Sequence, residues 1–270
     1  MKKIFILVIT IFLASAVITD QTGQAKAKFL KSKLPKRHVE LKGASPENPI
    51  ISLGKAKDKK TSETVEGVAI VHYAKNYGKA LKPNAKRICY ALLAQGAKWK
   101  TLEPWLADPQ NASGLKASFI LNNISSDISK WENAAKYNIL GDGSLSQETL
   151  FPDETAPDAK NEVLFADIDS PNAIAVTIVW GIFSGPASKR KLVEWDQVYD
   201  DVDFDWSSSG EAGKMDFENI ATHELGHSMG MGDLYNSYCS EQTMYGYANY
   251  GETKKRTLES GDITGINVLY

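Results

Sequence analysis

Two kinds of apolar spacing alternate along this chain. Val65 to Ala74 (VEGVAIVHYA), Val163 to Ile168, Ala173 to Ile182 and Leu192 to Val202 are short runs rich in β-branched and aromatic residues, and each predicts a strand. Thr101 to Ala107 is expected to be an earlier strand. A different period separates them: Leu115, Phe119, Ile120, Ile124, Ile128, Trp131 and Ala135 recur at helical intervals and predict one long helix ending near Tyr137. Ser125 or Ser126 offers an alternative start, which leaves Ala117 to Asn122 as a strand. Asp216 is placed to cap a second helix carrying His223, and Ile263, Ile266 and Leu269 fall near one face of a closing helix. Ala85 to Leu93, which holds Cys89, fits either a short helix or a strand. The order of elements is that of an α+β domain.

The first residues change the picture by suggesting where the chain works. Lys2 and Lys3 precede an apolar run from Ile4 to about Ile18 that contains Ala14-Ser15-Ala16, the pattern of a secretory signal peptide. Residues 1–25 are therefore expected to be removed, after Ala16 or Ala25, and the mature chain to be exported without stable membrane association. The run is shorter than the ~20 residues a spanning helix needs. Residues 26–84 read as a leader or pro-segment: Lys26 to about Lys60 is rich in Lys, Pro and Ser and is expected to be loosely packed, with a strand only at Val65 to Ala74. His72 lies in that strand, where a lone histidine is more often structural than a ligand. Residues 85–270 then form the main domain. In an oxidising compartment Cys89 and Cys239, the two cysteines of the chain, are expected to pair. A net charge of -2 argues against nucleic acid as the main partner, and a hydrophobic content of 43% is ample for a core.

The candidate chemistry sits in His223-Glu224-Leu225-Gly226-His227-Ser228-Met229-Gly230-Met231-Gly232-Asp233. On a helix, positions four apart lie one above the other, so His223 and His227 can offer two imidazole nitrogens to one zinc ion with Glu224 beside it. Catalytic zinc takes three protein ligands and keeps one position open. The four histidines are His38, His72, His223 and His227, so none follows the motif and an oxygen ligand should complete the set. Gly230 can end the helix in a left-handed turn and return Asp233 to the metal. Glu241, Glu252 and Glu259 compete with it, as in peptidases whose third ligand is a glutamate from a second helix.

With those residues quoted, the segment resembles the metzincin metalloproteases in their HExxHxxGxxD, snapalysin-type form. Thr243-Met244-Tyr245-Gly246-Tyr247 is similar to the methionine turn of matrixins, and Leu258 to Tyr270 is similar to their closing helix. The resemblance implies a twisted mixed sheet with an active-site helix and a C-terminal helix. It also implies a monomeric, secreted zinc endopeptidase that cuts protein or peptide substrates, with Glu224 as general base, Met244 beneath the metal, and Tyr245 or Tyr247 as an oxyanion or pocket residue. Structural Ca²⁺ belongs to the same resemblance, and two acidic regions offer carboxylates for it: Asp153, Asp158, Asp167 and Asp169, then Asp200, Asp201, Asp203 and Asp205. Peptide substrates would add as a strand to the edge of the sheet, with Ala173 to Trp180 as that edge or as a central strand. Lys86-Arg87-Ile88-Cys89 departs from the matrixin switch sequence PRCGxPD, which favours a structural disulfide over a thiol that silences the metal. Two alternatives remain: a peptidase with a downstream glutamate ligand, and an exported zinc protein without turnover.

Overall fold

Most of the strand-forming runs meet in one sheet. The structure, a computed structural model, describes residues 34–75 and 88–270, so the expected signal segment, 1–25, lies outside the described residues. From Pro35 onward the chain forms one compact unit. Its strands are β1 (His38–Val39), β2 (Ile50–Lys57), β3 (Thr64–Ala74), β4 (Ala91–Leu92), β5 (Trp105–Ala107), β6 (Gly143–Leu145), β7 (Asn161–Ile168), β8 (Ala173–Ile182), β9 (Lys191–Asp200), β10 (Trp206–Ser207), β11 (Met215–Asp216), β12 (Met231–Gly232) and β13 (Tyr247–Ala248). The helices are α1 (Ala117–Ala135), α2 (Phe217–Ser228) and α3 (Ser260–Leu269). The mixed sheet runs β13-β3-β8-β9-β7-β5-β6, with β2 also on β3 and β1 also on β7. The architecture is α+β, a mixed sheet with a helix carrying His223 and a C-terminal helix, as the sequence predicts.

One open alternative is decided and one expectation is corrected. Of edge or central strand, Ala173 to Ile182 is the central one, antiparallel to β3 on one side and to β9 on the other. Its residues are almost all buried, which suits a strand covered on both faces. The partner it lacked in the sequence reading is β3, which comes from the segment read as a leader. Among the described residues of that segment, 34–75, the packing is not loose: β2 pairs along β3, β1 joins β7, and Arg37 is buried, donating to the Phe165 carbonyl and pairing with Asp108. Its Lys-rich composition conceals strands that pair locally, β2 on β3, and through long-range contacts with β7 and β8.

The helical period holds. Residues 117–135 form one helix, with the hydroxyls of Ser125 and Ser129 donating to carbonyls four residues back rather than capping a new start. Its apolar stripe packs on α2, and the Trp131 indole donates to the Thr222 carbonyl at 2.9 Å. Helix α2 starts where the sequence suggested, the Asp216 carboxylate accepting from the Asn219 amide at 3.0 Å. The closing helix differs from expectation on its face. Ile263 is 41% exposed, while Gly261, Asp262, Gly265, Ile266 and Leu269 face inward. The glycines let the helix approach closely: a Cβ at Gly261 would overlap the Cys89 carbonyl, and one at Gly265 would meet Met231.

Candidate metal centre

Helix α2 sets the first two groups. One turn apart on its inner face, His223 and His227 bring their Nε2 atoms to 3.2 Å. Gly230, at φ +101°, then turns the chain out of the helix beneath the Ala97 carbonyl, a conformation that side chains resist. Strand β12 pairs with β4 and returns Asp233, whose Oδ1 lies 3.2 Å from His223 Nε2 and 3.4 Å from His227 Nε2. Ligand atoms held about 2.0–2.1 Å from a tetrahedral zinc are about 3.3 Å apart, so the three spacings fit that ion.

The hydrogen bonds behind the ligand atoms give an independent test of fit. His223 Nδ1 donates to the Thr243 carbonyl at 2.7 Å, and His227 Nδ1 to the Met231 carbonyl at 3.0 Å. Those bonds fix the tautomers and leave both Nε2 lone pairs facing one another and Asp233 Oδ1, which has no hydrogen-bond partner. Three electron-rich atoms converging in a buried site repel unless a cation lies among them. Without metal, the same groups shift one another's protonation. Burial works against charge on His227, yet the Asp233 carboxylate raises its imidazole above the ordinary value. Against the effect of its own burial, Asp233 is held well below the usual carboxylate range by His227 and His223. Burial and the Lys255 charge push His223 down to about 3. Tyr235, which the sequence reading passed over, donates its hydroxyl to Asp233 Oδ2 at 2.7 Å and so orients the carboxylate.

Glu224 lies fully buried beside the triad. Its Oε2 accepts from the Thr177 hydroxyl on β8 at 2.5 Å, and its Oε1 lies 3.1 Å from His72 Nδ1 on β3. Burial pushes the carboxyl up to about 7, against the opposing pull of His227 and the Thr177 hydroxyl. His72 is engaged on both nitrogens: Lys255 Nζ donates to its Nε2 at 3.1 Å, which leaves Nδ1 to donate to Glu224. Its ring centroid stands 3.9 Å from that of His223. Lys255 comes from a basic run, and a 3-10 turn at Lys254–Arg256 folds it inward to donate to the Tyr245 carbonyl as well. Burial lowers its ammonium to about 8, against the raising effect of Glu252, Asp233 and Glu224.

Beneath the triad, Met244 is buried with its sulfur against Gly226 of α2. The turn that presents it is clamped by α3, since the Asp262 carboxylate accepts from the amides of Thr243 at 2.7 Å and Met244 at 3.1 Å. Tyr245 and Tyr247 meet edge-on at 5.8 Å, and Tyr247 meets Tyr235 in the same way at 5.4 Å. The competing carboxylates lie elsewhere: Glu241 is exposed and paired with Lys254, Glu252 accepts from Asn249, and Glu259 caps α3. Cys89 and Cys239 form a disulfide that ties the start of the main domain to the loop after Asp233. A cavity of about 430 Å³, lined by Val68, Leu92, Phe183 and Gly232 among others, reaches Asp233.

A second convergence was not foreseen. Carboxylate oxygens of Asp153, Glu194 and Asp196 lie within 4.8 Å of one another, and Asp196 Oδ1 and the nearby Glu162 Oε2 are buried without partners. Only Asp153 and Asp158 of the acidic regions read from sequence come to this place, Asp158 through its amide, which donates to Glu194. Asp167 and Asp169 instead face His38, and Asp200 accepts from the amides of Ile168, Val202 and Asp203.

A model of the matrixin family matches residues 184–270. The crystal structure of metalloproteinase-II from Bacteroides fragilis matches at a TM-score of 0.35 and 11% identity, covering 79% of this chain and 75% of that one, a likeness too slight to bear on the site. No curated protein matches the chain.

Proposed function

Taking as premise that the chain is matrixin-like over residues 184–270, we propose that it is an exported zinc endopeptidase whose ligands are His223, His227 and Asp233 and whose general base is Glu224. The observation that carries this is the convergence of two oriented imidazoles and an unpartnered carboxylate oxygen at tetrahedral spacing, with a second carboxylate beside them. Zinc bound there supplies a Lewis acid that activates water and polarises a scissile carbonyl. Everything else falls to side chains. The Thr243 and Met231 carbonyls hold the imidazoles in the tautomer that ligates, and Tyr235 holds Asp233. Glu224 takes the proton of the attacking water and hands it to the leaving amine. Tyr245 and Tyr247 wall the side of the site that follows the methionine turn. A structural zinc site needs a fourth protein ligand and no base, and Glu224 beside a three-ligand set favours turnover.

Export is supported by the disulfide, which suits an oxidising compartment, and among the described residues no helix is long and apolar enough to cross a membrane. We also propose a structural divalent cation, calcium by the oxygen-only donor set, at Asp153, Glu194 and Asp196.

The test is cleavage of a peptide library by the purified zinc protein, with cut positions read by mass spectrometry. Glu224→Gln should keep one zinc per chain and lose about 10²–10⁴-fold in turnover. A variant that turns over at the parent rate removes Glu224 from the mechanism.

A further inference from the structure

Glu224 has more rotatable bonds than the candidate ligands beside it, and the last torsion of a glutamate is broad, so helix α2 alone does not decide how its carboxylate is turned. The sheet packed against α2 supplies what the helix lacks. Strand β8 reads Ala-Ile-Ala-Val-Thr-Ile-Val-Trp-Gly-Ile, and its single hydroxyl, on Thr177, is buried at a position where valine would have nearly the same shape. A buried hydroxyl lowers stability unless it is bonded. The proton of this one goes to Glu224: Thr177 Oγ1 donates to Oε2 at 2.5 Å and lies 3.4 Å from the Glu224 carbonyl oxygen. Branching at Cβ restricts the direction in which that hydroxyl is held. Across the sheet Thr177 stands directly opposite Gln197 of β9, and directly opposed residues share a face. Gln197 Nε2 donates to the Ser228 hydroxyl at 2.9 Å, its Oε1 accepts from the Tyr199 hydroxyl at 2.7 Å, and the Ser228 hydroxyl donates to the Glu224 carbonyl at 3.2 Å. Glu224 and Ser228 are one helical turn apart, so the polar pair Thr177 and Gln197 grips one side of α2, Gln197 through the backbone and Thr177 through the carboxylate.

We propose that Thr177 is a positioning residue for the base, tying Glu224 Oε2 so that Oε1 is the oxygen left to take the proton. This rests on the peptidase reading above. A carboxylate oxygen offers two lone pairs, and His72 Nδ1, 3.1 Å from Oε1, engages one of them, which leaves the other as acceptor. A Glu224 oxygen lies within 4.8 Å of a ring nitrogen of His223, so the tied carboxylate is already beside the candidate ligands. Without the threonine hydroxyl it is free to turn about its last bond, and a misdirected base takes protons slowly.

The experiment compares the zinc-loaded parent with Thr177→Val, which removes the hydroxyl and keeps the branched shape, and with Thr177→Ser, which keeps the hydroxyl. Cleavage of one library peptide gives kcat and KM, competition with a chelator gives zinc affinity, and infrared difference spectra against Glu224→Gln give the carboxylate stretch of Glu224. Thr177→Val should lose about 10–100-fold in kcat, the range for one hydrogen bond to a charged group, with KM and zinc affinity unchanged. Thr177→Ser should recover most of that loss. In the Glu224→Gln background Thr177→Val should cause no further fall, since it acts through the group already removed. The carboxylate band should move in Thr177→Val and return in Thr177→Ser. Parent kcat in Thr177→Val overturns the proposal. So does an equal fall in the valine and serine variants, or a fall accompanied by weaker zinc binding, because packing rather than placement of the base would then be at work. An unmoved carboxylate band overturns it as well. If the parent cleaves no peptide, the peptidase reading fails, and the infrared band alone decides whether Thr177 holds the carboxylate.

Discussion

Asp233 shows how much one side chain depends on its neighbours. Its Oδ1 faces the two imidazoles while its Oδ2 is held by the Tyr235 hydroxyl, and Gly246 is the residue that makes room for the tyrosine ring, since a Cβ there would overlap it. Partners behind a metal ligand typically contribute about 10–100-fold in metal affinity. Tyr235→Phe keeps the ring and removes only the hydroxyl, so it should weaken zinc binding about tenfold while leaving the melting temperature of the metal-free protein nearly unchanged. Competition with a chelator of known affinity measures the first and calorimetry the second. An unchanged zinc affinity would mean that Asp233 is positioned by the backbone alone. Nothing along the chain marks Tyr235, because a tyrosine two residues past a candidate ligand has no fixed direction until the turn is folded. Lys255 was hidden for a similar reason: nothing in the run Lys254-Lys255-Arg256 marks the lysine that turns inward.

At the scale of elements, the site is a stack in which each piece fixes the next. Asp262 at the start of α3 holds the amides of Thr243 and Met244, Met244 packs under Gly226 of α2, and the Thr243 carbonyl orients His223. Gly226 is the tightest joint, because a Cβ there would overlap the Met244 sulfur and crowd the Trp131 ring. Gly226→Ala therefore trades a better helix former for overpacking, and overpacking of a filled core costs about 1–3 kcal/mol. The expected result is a lower denaturation midpoint and a displaced His223, seen as weaker zinc binding. A gain in stability, as for an exposed helical glycine, would show that the methionine turn yields freely. Much of this stack was legible in order but not in contact. The helices and strands follow from periodicity, whereas the inward face of α3 does not, since its small residues rather than Ile263 make the closest approach.

For the molecule as a whole, the buried acidic cluster sets a pH dependence. Burial pushes Glu162 up to about 7 and, with the charge of Asp153, pushes Glu194 up to about 9. A carboxyl whose pKa is higher in the folded state than in the unfolded one binds its proton more tightly when folded. Its contribution is present below the ordinary value near 4.5 and is lost as pH rises through about 7 for Glu162 and about 9 for Glu194. The cation-free protein should therefore melt at a lower temperature at pH 9 than at pH 6. Calcium should raise the melting temperature more at pH 9 than at pH 6, and Asp196→Asn should shrink that gain. Scanning calorimetry with chelator and with calcium decides it; a melting temperature that calcium leaves unchanged at both pH values removes the proposed cation site. The disulfide acts at the same scale. Closing a loop across a sequence separation of 150 residues restricts the unfolded chain by about 5 kcal/mol in the chain-entropy model, an upper figure because strain and residual structure subtract.

Sequence alone determined what is local. Two histidines one helical turn apart, a glycine able to take a positive φ and an aspartate after it specify the proposed three-ligand set within eleven residues, because helix pitch and turn geometry act over short separations. The α+β order followed from periodicity for the same reason. Only the tertiary structure decided which strand lies beside which. Periodicity says that Val65 to Ala74 and Ala173 to Ile182 are extended but not that they pair, since backbone hydrogen bonds between strands carry little sequence signature. That pairing turned a segment read as leader into a strand of the sheet and brought His72 onto Glu224. The convergence of Asp153, Glu194 and Asp196 has the same origin: a loop and a strand meet there that no spacing along the chain relates.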